Sequence, residues 1–138
     1  MKIDFSDICI IEDDAIAIFG IKRALAKLHP SKDLNLTIFE NGEDAMENFE
    51  LRFNNGEKLP SLIFVDLNMP IMSGWDFLDE FTETYPSKET WPDIFIMSSS
   101  INPEDYEKAK TYNLEKNYLT KPVNKALLEK VFSQNNLF

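Results

Sequence analysis

Three short runs of uninterrupted apolar residues, Ile8-Cys9-Ile10-Ile11, Leu62-Ile63-Phe64-Val65 and Ile94-Phe95-Ile96-Met97, constrain this chain more than any other feature. Successive side chains of a strand point to opposite faces. A run with no polar alternation therefore marks a strand covered on both sides, as in a parallel sheet between layers of helices. Two weaker runs, Leu34 to Phe39 and Tyr118-Leu119, bring the set to five. Between them apolar residues recur at helical intervals: Ile18, Ile21, Leu25 and Leu28; Trp75, Leu78 and Phe81; Leu127, Leu128, Val131 and Phe132. Weaker helices are predicted around Glu43–Phe53 and Pro103–Tyr112. The second of these has Asn102 as a cap, Pro103 at the first helical position, and Glu104 and Asp105 in the first turn, where acids meet the positive end of the helix dipole. Strand and helix alternate five times, which with right-handed crossovers predicts a doubly wound α/β sandwich.

A chain of 138 residues has room for one domain, taken here as residues 1–138. Its 24 acidic against 14 basic side chains give a formal charge of -10, which opposes unaided binding to nucleic acid or to an anionic membrane. The single cysteine, Cys9, excludes an internal disulfide framework, and no apolar run approaches the roughly 20 residues of a membrane span. Acid at Asp4 comes too early for a signal peptide, so a reducing cytoplasm and a complete stand-alone domain are the expectations. The charge is uneven: residues 1–100 carry net -11 and residues 101–138 net +1. That contrast makes the last third the candidate partner face, although evenly mixed surface charge is the commoner meaning of such a balance.

Ligands of doubly wound sheets bind beyond the carboxyl ends of the strands. There the chain places Glu12-Asp13-Asp14, then Asp66, then Ser98-Ser99-Ser100, then Thr120-Lys121-Pro122. Asp13 or Asp14 taken alone reads as a helix cap. Asp66 is different, because a carboxylate at the end of a buried strand needs a cation or hydrogen bonds to offset its desolvation. Lys121 precedes a proline, which fixes the chain direction and allows a cis peptide bond to aim the side chain. Clustered carboxylates with one lysine suit a hard divalent cation such as Mg²⁺, and Asp66 beside it suits a nucleophile that forms an aspartyl-phosphate. Alignment and charge neutralisation by Mg²⁺ and Lys121 would then carry the chemistry.

Over essentially its whole length the sequence resembles the receiver domain of two-component response regulators, the CheY-like family. The resemblance rests on Asp13 and Asp14 after the first strand, Asp66 within Phe64-Val65-Asp66-Leu67-Asn68-Met69-Pro70, Gly74, Ser98, and Lys121-Pro122 with Tyr118 three residues earlier. It implies a flavodoxin-like sheet of five strands in the order 2-1-3-4-5. It implies that Asp66 accepts a phosphoryl group from a sensor histidine kinase or a histidine phosphotransfer protein. Asp13, Asp14, Asp66 and the backbone carbonyl of Asn68 would bind Mg²⁺. Ser98 would move to bond a phosphoryl oxygen, Tyr118 would turn inward, and the fourth helix, fifth strand and fifth helix would read the change out to a downstream protein. Dimerisation on phosphorylation stays open. The family commonly has Ala or Gly where Ser99 stands, and Asn68 and Ser100 occupy the positions that tune dephosphorylation, without an acid or amide at 100.

Two other classes compete. A Mg²⁺-dependent phosphohydrolase that forms an aspartyl-phosphate, of the haloacid dehalogenase kind, needs a second Asp two residues beyond its nucleophile, where this chain has Asn68. A flavodoxin-like electron carrier needs a phosphate-binding first turn, where this chain has Glu12-Asp13-Asp14. The remaining singular residues read as structure: His29 as a helix cap, Cys9 as inert packing, Met69, Met72 and Met97 as core filling, and Gly20 as an aid to close packing. The stretches Asn54–Pro60 and Tyr85–Pro92 look long, and either extend helices or contact a partner.

Overall fold

The computed structural model describes residues 4–30, 33–100, 102–135 and 137. Its strands are β1 (Ile8–Ile11), β2 (Leu36–Phe39), β3 (Leu62–Asp66), β4 (Asp93–Ser98) and β5 (Tyr118–Thr120). Its helices are α1 (Ala15–Leu28), α2 (Gly42–Asn54), α3 (Gly74–Thr84), α4 (Pro103–Thr111) and α5 (Lys125–Gln134). The five strands form one parallel sheet in the order β2-β1-β3-β4-β5.

The continuous apolar runs are buried from both sides. Ile8, Ile10, Leu62, Phe64, Phe95 and Met97 face a core shared with Ile21 and Leu25 of α1 and with Leu128 and Phe132 of α5. The alternate residues Cys9, Ile11, Ile63, Val65, Ile94 and Ile96 face a second core with Phe49 of α2, Phe77 and Phe81 of α3 and Ala109 of α4. One sequence period thus supplies two cores. In the second core Phe49 meets Phe77 and Phe81 edge-on at 6.3 and 6.2 Å, which locks α2 against α3.

Strand β2 is shorter than the run from Leu34, because its pairing with β1 begins at Ile8 opposite Leu36. It lies at the sheet edge and is only half-buried. Each of the five helices starts at a capping side chain: Asp14, Asn41, Ser73, Asn102 and Asn124. Each cap is worth about 1 kcal/mol. Ser73 forms a reciprocal capping box with Asp76. His29 terminates α1, with its backbone N–H on the Leu25 carbonyl at 2.9 Å and its ring stacked on Phe5. Residues 85–92 hold a single turn of 3-10 helix at Lys88–Thr90 rather than an extension of α3. Gly20 is not needed for close packing, since a Cβ there would meet only the Val123 carbonyl at 3.9 Å. No described helix is long and apolar enough to cross a membrane.

Candidate functional site

Parallel strands of matched register bring their carboxyl ends to one rim, and the site follows from that register. Ile11 lies opposite Val65, so the next residues along, Glu12 and Asp66, leave the sheet side by side. Asp66 is itself opposite Met97, and Ser98 opposite Thr120, which delivers Ser98 and Lys121 to the same rim. The Lys121 backbone N–H bonds the Ser98 carbonyl at 2.8 Å, and the Lys121-Pro122 bond is cis.

Asp66 is 4% exposed and Glu12 is fully buried. The Lys121 ammonium lies between them, 3.1 Å from Asp66 Oδ1 and ion-paired with Glu12 Oε1. Burial alone would lower the lysine's pKa. The hydrogen bond to Glu12 and the charges of Asp66 and Glu12 outweigh it and hold the ammonium above its ordinary value. Burial raises the pKa of Glu12, with the neighbouring Asp66 charge adding to the rise and Lys121 opposing it. The other Glu12 oxygen accepts the backbone N–H groups of Asp13 and Asp14 at 3.1 and 3.3 Å.

Carboxylate oxygens of Glu12, Asp13 and Asp66 lie within 4.8 Å of one another, and among the described residues they form the cluster able to hold a metal ion. Glu12 rather than Asp14 joins Asp13 and Asp66. The Asp14 carboxylate instead accepts the Ile16 N–H at 3.1 Å as the cap of α1, at the mouth of a cleft of about 300 Å³ shared with Ser99 and Pro122. Asp14, expected as a metal ligand, thus lies outside the cluster of Glu12, Asp13 and Asp66, with one of its two oxygens used to cap α1. Glu12 stands one residue after its apolar run, as Asp66 does, and that shared offset is the sequence signal that marks it.

The fit to a hard divalent cation is good. Three carboxylates and one ammonium leave about -2, the donors are all oxygen, and Asp13 is exposed enough to admit an ion. Asn68 is exposed in the loop after β3. Gly74 opens α3 directly against the end of β3: its N–H bonds the Leu67 carbonyl at 3.0 Å, and a Cβ there would sit 2.5 Å from the Asp66 carbonyl oxygen.

Ser98 is buried, and its hydroxyl is engaged locally, donating to the Ser100 carbonyl at 3.1 Å and accepting the Ser100 N–H at 3.3 Å. The half-buried Tyr118 donates its hydroxyl to the same Ser100 carbonyl at 3.4 Å, and its ring meets Tyr106 of α4 edge-on. Ser98 and Tyr118 therefore share an acceptor, a convergence that no side-chain identity in the sequence announces because it runs through backbone.

Comparison with known proteins agrees with this fold. The chain is 30% identical over 137 residues to the 3',5'-cyclic-nucleotide phosphodiesterase regA of Dictyostelium discoideum, a match covering 92% of this chain and 16% of that protein, so the chain spans about a sixth of its relative's length. A two-component response regulator from Cytophaga hutchinsonii is 25% identical, with a TM-score of 0.81 over 97% of each chain. The phosphorylated cyanobacterial phytochrome response regulator RcpA is 26% identical, with a TM-score of 0.70 over 94% of this chain and 90% of that one. The family model of the response regulator receiver domain matches residues 8–133, and the chain belongs to that family.

Proposed function

We propose that this domain is a phosphorylation-operated switch in which Asp66 takes a phosphoryl group from a sensor histidine kinase or a histidine phosphotransfer protein. The observation that carries this reading is the geometry of Asp66: a buried carboxylate at the end of a central strand, 3.1 Å from an ammonium and within 4.8 Å of two further carboxylates. One Asp66 oxygen forms a bond to phosphorus as the phosphorus–nitrogen bond of the donor phosphohistidine breaks, and the departing imidazole nitrogen takes a proton. Lys121 is placed to hold a phosphoryl oxygen. Glu12, Asp13 and Asp66, with the Asn68 carbonyl, would hold Mg²⁺, which when bound neutralises charge on the transferring group.

The switch reading is supported by the contacts of Ser98. Its hydroxyl must leave the Ser100 carbonyl to reach a phosphoryl oxygen, and that carbonyl is also the acceptor of Tyr118. A change at Asp66 thereby biases the side chain that touches α4, and α4, β5 and α5 form the less acidic face for a downstream protein. A small change in stability between two such arrangements is enough to shift their populations.

The test is incubation with Mg²⁺ and acetyl phosphate, or with a phosphorylated histidine phosphotransfer protein, followed by intact-mass measurement. The wild-type chain gains one phosphoryl group and Asp66→Asn gains none. Labelling that persists in Asp66→Asn sinks the assignment, and sustained turnover of a phosphomonoester would favour the phosphohydrolase instead.

A further inference from the structure

We propose that the cleft between α2 and α3, remote in sequence from the phosphoacceptor rim, binds an arginine side chain presented by a basic segment of a protein partner. The cleft has a volume of about 450 Å³, and Glu43, Glu47, Glu50 and Glu80 line it together with Phe53 and Tyr85. Glu43 has a local explanation, since an acid in the first turn of α2 meets the helix dipole. Glu47, Glu50 and Glu80 do not. All three are exposed, and none forms an ion pair among the described residues.

A second observation is independent of the carboxylates. Tyr85 is 6% exposed, lines the cleft, and has a buried hydroxyl without a hydrogen-bond partner. Leaving a buried hydroxyl unpaired is costly, and a ligand that reaches it recovers that cost. Burial, with the nearby Glu50 charge, raises the pKa of the phenol, so it stays neutral and offers both a proton and a lone pair.

Phe53 decides the kind of cation. Its ring packs on Tyr85 at 5.4 Å between centroids yet remains 60% exposed, an apolar face at the edge of an acidic cleft. A guanidinium stacks on such a face while its N–H groups bond carboxylates in pairs, which a lysine ammonium does less well. A metal ion is the poorer occupant, because among the described residues the carboxylates that converge within 4.8 Å are those at Glu12, Asp13 and Asp66. Glu43 to Asn54 spans about 17 Å of helix, a length suited to an extended segment rather than to a point charge.

The probe is the peptide acetyl-Gly-Arg-Gly-Arg-Gly-amide, titrated into the ¹⁵N-labelled chain at low ionic strength, with the lysine counterpart in parallel. Shift changes concentrated on residues 43–54 and 80–85 are expected, with the arginine peptide about threefold tighter. Glu47→Gln with Glu80→Gln should weaken binding about tenfold, at roughly threefold for each carboxylate. Glu83→Gln with Glu89→Gln, the same charge change outside the cleft, should leave it unaltered. Tyr85→Phe should weaken binding while the domain melts no lower than wild type, an outcome a purely structural tyrosine would not give. Changes spread evenly over the acidic surface or centred on residues 12–14 and 66, equal binding of the two peptides, no binding, or a cleft double variant that binds like wild type each overturns the proposal.

Discussion

Gly74 and Gly20, two of the three glycines at helical positions, should respond in opposite directions to the same substitution. At Gly74 an added Cβ would lie 2.5 Å from the Asp66 carbonyl oxygen, 2.8 Å from Leu67 Cα and 3.0 Å from the Asp66 carbonyl carbon. Non-bonded carbon atoms rest at about 3.5–4.0 Å, so the shortest contact is about 1 Å too close. All three neighbours are backbone. They are pinned by the Gly74 N–H to the Leu67 carbonyl at 3.0 Å and by the Leu67 N–H to the Met97 carbonyl at 3.1 Å, so neither side can yield cheaply. Overpacking of this kind costs about 1–3 kcal/mol. With an unfolding entropy near 2.1 cal/mol/K per residue, each kcal/mol moves the melting temperature of a domain this size by about 3–4 °C. Gly74→Ala should therefore melt about 4–10 °C lower. Because two of the three displaced atoms belong to Asp66 itself, the variant should also take up phosphoryl groups from acetyl phosphate more slowly.

Gly20→Ala is the control. Its Cβ finds ordinary contact at 3.9 Å, and replacing a helix-interior glycine gains about 0.5–1 kcal/mol, so the melting temperature should rise by about 2–3 °C. Differential scanning calorimetry of both variants decides the matter. A Gly74→Ala domain that melts within a degree of wild type would refute the claim that α3 is seated directly on the backbone of Asp66 and Leu67.

Removing the ammonium from the rim should cost stability as well as chemistry: Lys121→Met strands Glu12 and Asp66 without their cation, and a loss of about 3 kcal/mol is expected in urea unfolding at neutral pH. Asp93, the half-buried first residue of β4, has its pKa raised above the ordinary 3.8 by burial. The folded state then binds the proton more tightly than the unfolded one, so this contribution to stability is present below about pH 3.8 and is lost as pH rises through the folded value. Asp93→Asn should consequently raise the melting temperature at pH 7 and leave it nearly unchanged at acid pH, and an equal rise at both would count against burial as the cause.

The layered fold was legible because its signal is redundant. Ile8–Ile11, Leu62–Val65 and Ile94–Met97 each feed both cores, so the absence of polar alternation could mean little else. Strand β2 is two residues shorter than its apolar run because Leu34, although apolar and packed on the core, lies before the first residue with a partner on β1. Hydrophobicity reports burial, and pairing is decided by the neighbouring strand. The same distinction explains the acidic rim. Asp66, Ser98 and Lys121 could be located because each closes or directly follows an apolar strand, whereas Glu12-Asp13-Asp14 offers three carboxylates in a row with nothing in composition to say which turn inward.

Register resolves that ambiguity. Ile11 pairs with Val65, so the residue one step beyond each strand partner must meet the other at the rim, and that pair is Glu12 and Asp66. An equal offset from the ends of these two adjacent runs marks the same pair in the sequence. The consequence is electrostatic. With Glu12 fully buried, one of its oxygens paired with Lys121 and the other accepting the amides of Asp13 and Asp14, the lysine is held at the rim by a carboxylate other than Asp66. Were Asp66 to carry a phosphoryl group through a mixed-anhydride bond, as proposed, Glu12 would still pair with the ammonium beside the phosphoryl oxygens. On the proposed function a single lysine would serve the rim before and after transfer, because a second, deeper carboxylate keeps it there.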